Sequence, residues 1–252
     1  MTVNWKKTLI IVFDIAIAAY LILAITALNK PAEKATVCSE VKIDIENDVV
    51  DGFLDANAIK TVLEKGRLYP LGRPMAQVSA REIEETLQKN PFIETAECYK
   101  TQSGHVCIRL KQRMPVVHVM ANNNENYYVD TNGGIMPETR VATDNIIATG
   151  HISKKYAQKY LAPMANIIVQ DRFWQSQIEQ INVLQDGTIE IVPRVGDHIV
   201  CLGTPTNIPK KLERLRKFYQ YGLNQAGWNK YAYINIEFDN QIICKRRLKI
   251  EH

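Results

Sequence analysis

Residues 8–28, TLIIVFDIAIAAYLILAITAL, constrain this chain more than any other stretch, because Asp14 is their only charged side chain. A helix of this length rises roughly 31 Å, which matches a hydrocarbon core about 30 Å thick. A cleaved signal peptide is the alternative, but its apolar region spans only about 7 to 15 residues. The stretch therefore predicts an uncleaved transmembrane helix over residues 8–28.

The flanking residues predict the orientation of this helix. Trp5 suits a membrane interface, and Lys6 and Lys7 favour the cytoplasmic side by the positive-inside tendency. Residues 1–7 are then a cytoplasmic tail, and the rest of the chain lies outside the cytoplasmic membrane. A carboxylate near the bilayer centre costs about 2.5 to 3.5 kcal/mol. Asp14 is therefore expected to be protonated or locally hydrated, or to face a partner helix.

The chain beyond residue 28 is long enough for two domains, and its charge is nearly balanced. With 31 Lys and Arg against 27 Asp and Glu, the composition does not favour nucleic acid as a partner. Two basic runs are interpreted as solvated faces: Lys210, Lys211, Arg214, Arg216 and Lys217 on one helical segment, and Lys245, Arg246, Arg247 and Lys249 near the C-terminus.

Local patterns predict regular elements along most of the chain. The first part reads as a strand at 41–45, a helix capped by Asp55, a helix from the capping box at Ser79, and strands at 92–100 and 105–113. The second part reads as a helix at 153–172 bent at Pro163, strands at 178–184, 188–193 and 198–203, a helix capped by Asn207, and strands at 231–238 and 241–245.

Several short motifs resemble a known family. They are Asn90-Pro91-Phe92-Ile93 with Ala96, Val106-Cys107-Ile108-Arg109-Leu110, Arg113-Met114-Pro115-Val116, Tyr127-Tyr128-Val129-Asp130 before Gly133-Gly134, and Ile146 to Gly150. With the single anchor and the strand-helix-helix-strand-strand order, they resemble a POTRA domain and, more closely, the FtsQ/DivIB family of bacterial division proteins. Phe92 stands where the family usually has tryptophan, Gln112 where it has glutamate, and Asn235 where it has aspartate.

The resemblance implies an α+β protein. Residues 29–36 are a linker, 37–115 the POTRA domain, 116–246 an FtsQ-type domain with a mainly antiparallel sheet, and 247–252 a basic tail. It also implies a single-pass cell inner membrane protein that acts in cell division as a non-enzymatic scaffold. FtsB-like and FtsL-like membrane proteins are the implied partners, in support of septal peptidoglycan synthesis. The alternative is a POTRA-bearing envelope protein that handles outer-membrane or secreted polypeptides.

The last two strand patterns supply the candidate binding site. Because they end the chain, we expect one of them to lie at a sheet border, where an extended partner segment can add a strand. The opposing interpretation is that the basic residues there repel such pairing. The resemblance implies Phe238 as an aromatic anchor, Gln241, Ile242, Ile243 and Cys244 as the pairing edge, and Lys245 and Arg246 as contacts for acidic groups.

The sequence offers no pattern for catalysis. Nucleophile-elbow, phosphate-loop, dinucleotide and zinc-protease motifs are missing, so we predict no enzyme activity, cofactor, metal site or small-molecule substrate. Of the five cysteines, Cys98 and Cys107 face each other if 101–104 is a four-residue loop, which would permit a cross-strand disulfide. A loop one residue shorter or longer places the two thiols on opposite faces of the sheet.

Overall fold

The computed structural model describes residues 5–28, 37–46, 54–139 and 145–247. The predicted linker at 29–36 and most of the two predicted tails lie outside these residues. The chain forms two compact units. Within the described residues, the first unit is drawn from Met1–Asp44, Ala56–Leu87 and Ala96–Leu110, and the second from Ile45–Asp55, Gln88–Thr95 and Lys111–His252.

The first helix, α1, spans Trp5–Leu28, and it is uninterrupted because it contains neither glycine nor proline. Large apolar side chains such as Leu9, Phe13 and Leu23 are each 64% exposed. The prediction of a helix is confirmed. Among the residues described, however, a search for a helix long and apolar enough to cross a membrane finds none. The membrane span stays a prediction.

The first unit follows the predicted order of elements. They are β1 (Glu40–Glu46), α2 (Ala56–Lys65), a 3-10 turn (Met75–Gln77), α3 (Ala80–Leu87), β2 (Ile93–Lys100) and β3 (His105–Gln112). The sheet order is β1-β3-β2. Ile59 and Leu63 of α2 are buried, as are Ile83 and Leu87 of α3, because apolar residues spaced by four share one helix face.

The hairpin between β2 and β3 excludes the predicted disulfide. The Thr101 N–H donates to the His105 carbonyl at 2.9 Å, so these two residues face each other. Counting back along both strands places Cys107 opposite Tyr99, one residue from the alignment that a bridge to Cys98 requires. The loop is therefore one residue shorter, and both thiols are free. Burial, reinforced by the Glu84 carboxylate, raises the pKa of the Cys98 thiol to about 12.

The second unit is built on a large mixed sheet. Its strands are β4 (Pro115–Ala121), β5 (Asn126–Asp130), β6 (Ile135–Pro137), β7 (Ile146–Gly150), β8 (Ile178–Val183), β9 (Ile189–Pro193), β10 (Ile199–Gly203), β11 (Tyr231–Asn235) and β12 (Ile243–Arg246). Their order is β12-β11-β10-β9-β8-β7-β4-β5-β6. The pairs β4·β7, β7·β8 and β10·β11 are parallel and the rest antiparallel.

Helices pack with this sheet around a large apolar core, and Tyr128 and Met136 form a second, small buried cluster with Phe92. They are α4 (Lys154–Tyr156), a π-helical turn (Ala157–Leu161), α5 (Ala162–Gln170), α6 (Arg172–Gln177), α7 (Ile208–Phe218), a second π-helical turn (Tyr219–Leu223) and α8 (Asn224–Ala226). The helical path continues through Pro163. The π-helical turn ends at Leu161 and α5 begins at Ala162, so the proline lies in the first turn of α5, where its missing N–H is tolerated.

The start of α7 differs from the prediction. Asn207 has a left-handed backbone with φ of 55° and makes no side-chain cap, whereas Asp171 does cap α6 by accepting from the Phe173 N–H at 3.0 Å. The fold is thus the expected mixture of helices with a large, mainly antiparallel sheet and a smaller three-stranded sheet. Its membrane-spanning part remains a prediction.

Candidate partner-binding edge

Strand β12 lies at one border of the nine-stranded sheet. Among the residues that the structure describes, it pairs with β11 alone, antiparallel, with Cys244 opposite Ile234 and Ile243 opposite Asn235. This confirms the prediction that one of the terminal strands lies at a sheet border. We call β12 together with the preceding residues 236–242 the terminal border.

The predicted strands are longer than the observed ones. Strand β11 ends at Asn235, whose side-chain Oδ1 accepts the Glu237 N–H at 2.8 Å and turns the chain away. Asn240 has φ of 65°, which also interrupts an extended path. Phe238, Gln241 and Ile242 therefore lie in the loop before β12, which begins at Ile243, and the prediction that partner pairing starts at Gln241 stays a prediction.

Side chains of the terminal border alternate between the core and solvent. Ile242 and Cys244 pack against the core of the second unit, and burial raises the pKa of the Cys244 thiol. Phe238 and Ile243 are each 47% exposed. Lys245 and Arg246 are exposed as well, and the Lys245 ammonium lies 5.6 Å from the centre of the Tyr233 ring. Apolar and cationic groups thus share the exposed surface.

The backbone of β12 presents hydrogen-bonding groups on its unpaired side. The Arg247 N–H donates to the Lys230 carbonyl at 3.0 Å, so it points toward β11. The N–H and C=O of one residue point to the same side of a strand, and this side alternates along the chain. Ile243 and Lys245 therefore face β11, while Cys244 and Arg246 direct their backbone groups outward.

Two basic residues of α7 bind loop groups: Arg214 binds the loop that leads into β12, and Lys211 binds the loop that precedes α7. The Arg214 guanidinium donates to the Ile236 carbonyl and lies 3.3 Å from an Asp239 carboxylate oxygen. The Lys211 Nζ donates to the Thr204 carbonyl at 2.8 Å. Burial lowers the pKa of Lys211, although the neighbouring Glu237 opposes this.

Lys211 was predicted to lie on a solvated face, and that prediction is wrong, because only 5% of the residue is exposed. A signal was present in the sequence. Lys211 follows Ile208 by three residues and precedes Leu215 by four, which places it on the apolar side of the helix. Its aliphatic stem fits that side, and its ammonium reaches a backbone acceptor.

Asp130, a carboxylate at a strand end, has a structural role. It is 2% exposed and accepts from the Gly134 N–H at 2.6 Å, the Asn132 N–H at 2.8 Å and the Arg113 guanidinium at 2.7 Å. A side chain at Gly134 would overlap both Asp130 and Arg113. The carboxylate therefore fixes the turn between β5 and β6, and its oxygens are already engaged.

Asp14 and two histidines with side-chain hydrogen bonds lie apart from this edge in the chain. Asp14 is exposed on α1. His118 bonds Asn126 at 2.6 Å, and His198 bonds Tyr219 at 2.9 Å. Within the ranges 5–28, 37–46, 54–139 and 145–247, no three histidine, cysteine or acidic side chains are grouped so that they could hold a metal ion.

Comparison with known families covers most of the chain beyond α1. Residues 36–111 match a family described as POTRA-like domain. Residues 114–245 match a family described as FtsQ/DivIB, C-terminal related. No curated protein matches the chain. The second match takes in the whole nine-stranded sheet apart from its last residue, Arg246.

Proposed function

The chain belongs to the FtsQ/DivIB, C-terminal related family, and from this premise we propose that it is a membrane-anchored scaffold of the bacterial cell division machinery. In this proposal it acts without catalysis. It binds FtsB-like and FtsL-like single-pass proteins outside the cytoplasmic membrane and so supports septal peptidoglycan synthesis. The match over residues 114–245 favours this function over the handling of outer-membrane or secreted chains.

Anchoring by α1 is part of the proposal. The helix is 24 residues long and its described apolar side chains are mostly exposed, which suits a lipid environment. The two lysines at its start favour a cytoplasmic N-terminus. A topology reporter fused after His252 tests this, because the proposal requires the reporter to be outside the cytoplasm, and a reporter confined to the cytoplasm contradicts it.

The observation that carries the binding proposal is the unpaired side of β12. Cys244 and Arg246 direct backbone donors and acceptors outward, so an added strand would gain main-chain hydrogen bonds there. The exposed Ile243 and Phe238 offer apolar contacts. The cationic Lys245 and Arg246 favour a partner segment that carries acidic residues. Each feature alone is common at sheet borders, but together they match an extended acidic peptide.

The experiment compares two substitutions at one position. Arg246→Pro removes an outward N–H and the charge, whereas Arg246→Ala removes the charge and keeps the N–H. Binding of the FtsB-like partner is measured with the full-length chain in detergent or nanodiscs, at low and high salt. We expect proline to lower affinity about tenfold or more. Alanine should cost less, and its effect should shrink at high salt.

The same two variants also test the opposing interpretation, in which the basic residues repel strand pairing. In that case Arg246→Ala should strengthen partner binding. Ile243→Pro serves as a further control, because the Ile243 N–H faces β11 and its loss should destabilise the sheet itself. Native affinity in an Arg246→Pro variant that unfolds at the native temperature would place the binding site elsewhere.

A further inference from the structure

A histidine is buried next to the residue that contacts the chain at the end of β12. His198 precedes β10 and is 3% exposed. Its Nε2 lies 2.9 Å from the Tyr219 hydroxyl, and its ring is 6.3 Å from that of Trp228. Its Nδ1 is buried and has no hydrogen-bond partner among the described residues. A neutral imidazole fits this environment better than an imidazolium, because it carries one N–H donor instead of two and no net charge.

The same short segment also holds the end of β12. Asp197, next to His198, accepts from the Arg247 guanidinium at 2.8 Å, and Arg247 directly follows the strand. Gly196 packs so closely that an added side-chain carbon would lie 2.7 Å from the His198 Nδ1. The His198 ring therefore lies close beside the Gly196–Asp197 turn, which also carries the carboxylate that binds Arg247.

The surroundings of His198 oppose its protonation. Burial lowers the pKa of His198 most, and the Arg247 guanidinium lowers it further, while the Asp197 carboxylate raises it. The helical layer contributes only the Tyr219 hydroxyl, and burial raises the pKa of that phenol, so Tyr219 stays neutral. An imidazolium would bring a second donor to the unpartnered Nδ1 and a positive charge close to Arg247.

We propose that His198 is a proton-sensitive latch for the terminal border. In its neutral form it supports the turn that holds Arg247, and its protonation releases that turn and frees the end of β12. The structural part stands on the contacts of His198, Asp197 and Arg247. The consequence for partner binding rests on the proposed function. Outside the cytoplasmic membrane the proton concentration follows the medium, so such a latch would weaken partner capture in acid.

The direction of the pH dependence follows from how the closed and open states bind a proton. The open state, in which His198 meets solvent, takes up a proton near the ordinary value of 6.5, whereas the closed state binds it less readily. Closure is therefore complete above this pH and is lost as the pH falls below it. For one proton, opening rises by up to about tenfold per pH unit.

Hydrogen exchange of residues 230–247 tests the latch. The full-length chain is compared at pH 7.5, 6.5 and 5.5 after correction for the chemical exchange rate. We expect opening to rise several-fold, up to about fivefold, between pH 6.5 and 5.5, because the open state is already half-protonated at pH 6.5. His198→Gln keeps a donor for Tyr219 but does not titrate, so it should abolish the rise. His151→Gln removes an exposed histidine of the same unit and should leave the rise intact.

Two results would overturn the latch: exchange that does not depend on pH, or a dependence that survives His198→Gln. If that variant does not fold, an NMR titration of His198 in the native chain decides, because its midpoint must lie below 6.5 and coincide with the midpoint of exchange. Partner binding is measured in parallel. Absence of binding at every pH contradicts the proposed function alone, whereas binding with pH-independent exchange contradicts the latch alone.

Discussion

The two borders of the nine-stranded sheet are built differently. Strand β12 has two residues, Cys244 and Arg246, with outward backbone groups. At the opposite border, the Asp130 N–H donates to the Gly134 carbonyl at 2.9 Å, so Ile135 of β6 directs its backbone groups outward and Pro137 does too. Because proline has no N–H, β6 presents a single outward donor over its three residues.

The side chains sharpen this contrast. Met136, at the centre of β6, is fully buried, while Ile243 at the start of β12 is 47% exposed. A short strand with a proline is a common way to protect a sheet edge from unwanted pairing. One border of this sheet is therefore short and carries a proline, whereas the other has outward donors and an exposed isoleucine, and for this reason we propose the partner site at β12.

The largest effect should come from the turn that holds the protected border. Asp130→Ala leaves the Arg113 guanidinium and two backbone N–H groups without their acceptor, so we expect the free energy of unfolding to fall by about 3 kcal/mol. Folded molecules should still bind the partner, because β12 lies at the other border. Denaturant unfolding and partner affinity measure the two effects.

The matched control is Glu179→Ala, which removes a carboxylate from the exposed ion pair with Arg194 at 2.9 Å. It should change stability by less than about 1 kcal/mol. Equal losses for the two variants would contradict the anchoring role of Asp130. A loss of partner affinity in folded Asp130→Ala would break the comparison, since it would couple the two borders.

An intermediate effect is expected at the loop before the open border. Arg214→Ala removes the donors to Ile236 and the ion pair with Asp239, at a cost of about 1 to 2 kcal/mol. The loop that carries Phe238 loosens, so partner affinity should fall several-fold. Lys217→Ala is the control on the same helix, because Lys217 pairs with Glu213 in solvent. Equal partner affinities in the two variants would show that the loop does not position the site.

The smallest effect is expected at β6 itself. Pro137→Val adds an outward N–H to the protected border, and its effect on stability should be a few tenths of a kcal/mol, because the residue is exposed. The variant should associate with itself more than the native chain does, as measured by analytical ultracentrifugation at high concentration. Unchanged association would indicate that something other than the proline protects this border.

Much of the fold was accessible from local patterns. The helix at Trp5–Leu28, the order of the first unit and the strands from Ile178 to Gly203 follow from apolar periodicity and from glycine turns. Strands β4 and β6 were not predicted as such. Strand β4 is buried at most positions and lacks a clear alternation, and β6 has only three residues. Such segments become strands because they pair with adjacent strands, and their own sequence pattern does not identify them.

The sequence by itself determined that the chain ends in two strands with a basic, partly apolar surface, since composition and alternation are local properties. Only the tertiary structure decided which strand is outermost, because the parallel pairing of β10 with β11 joins segments separated by all of α7. It also decided that the backbone groups of Cys244 and Arg246 point outward, and that His198 is buried. Register, burial and hydrogen-bond direction depend on partners distant in sequence, and a single chain segment does not encode them alone.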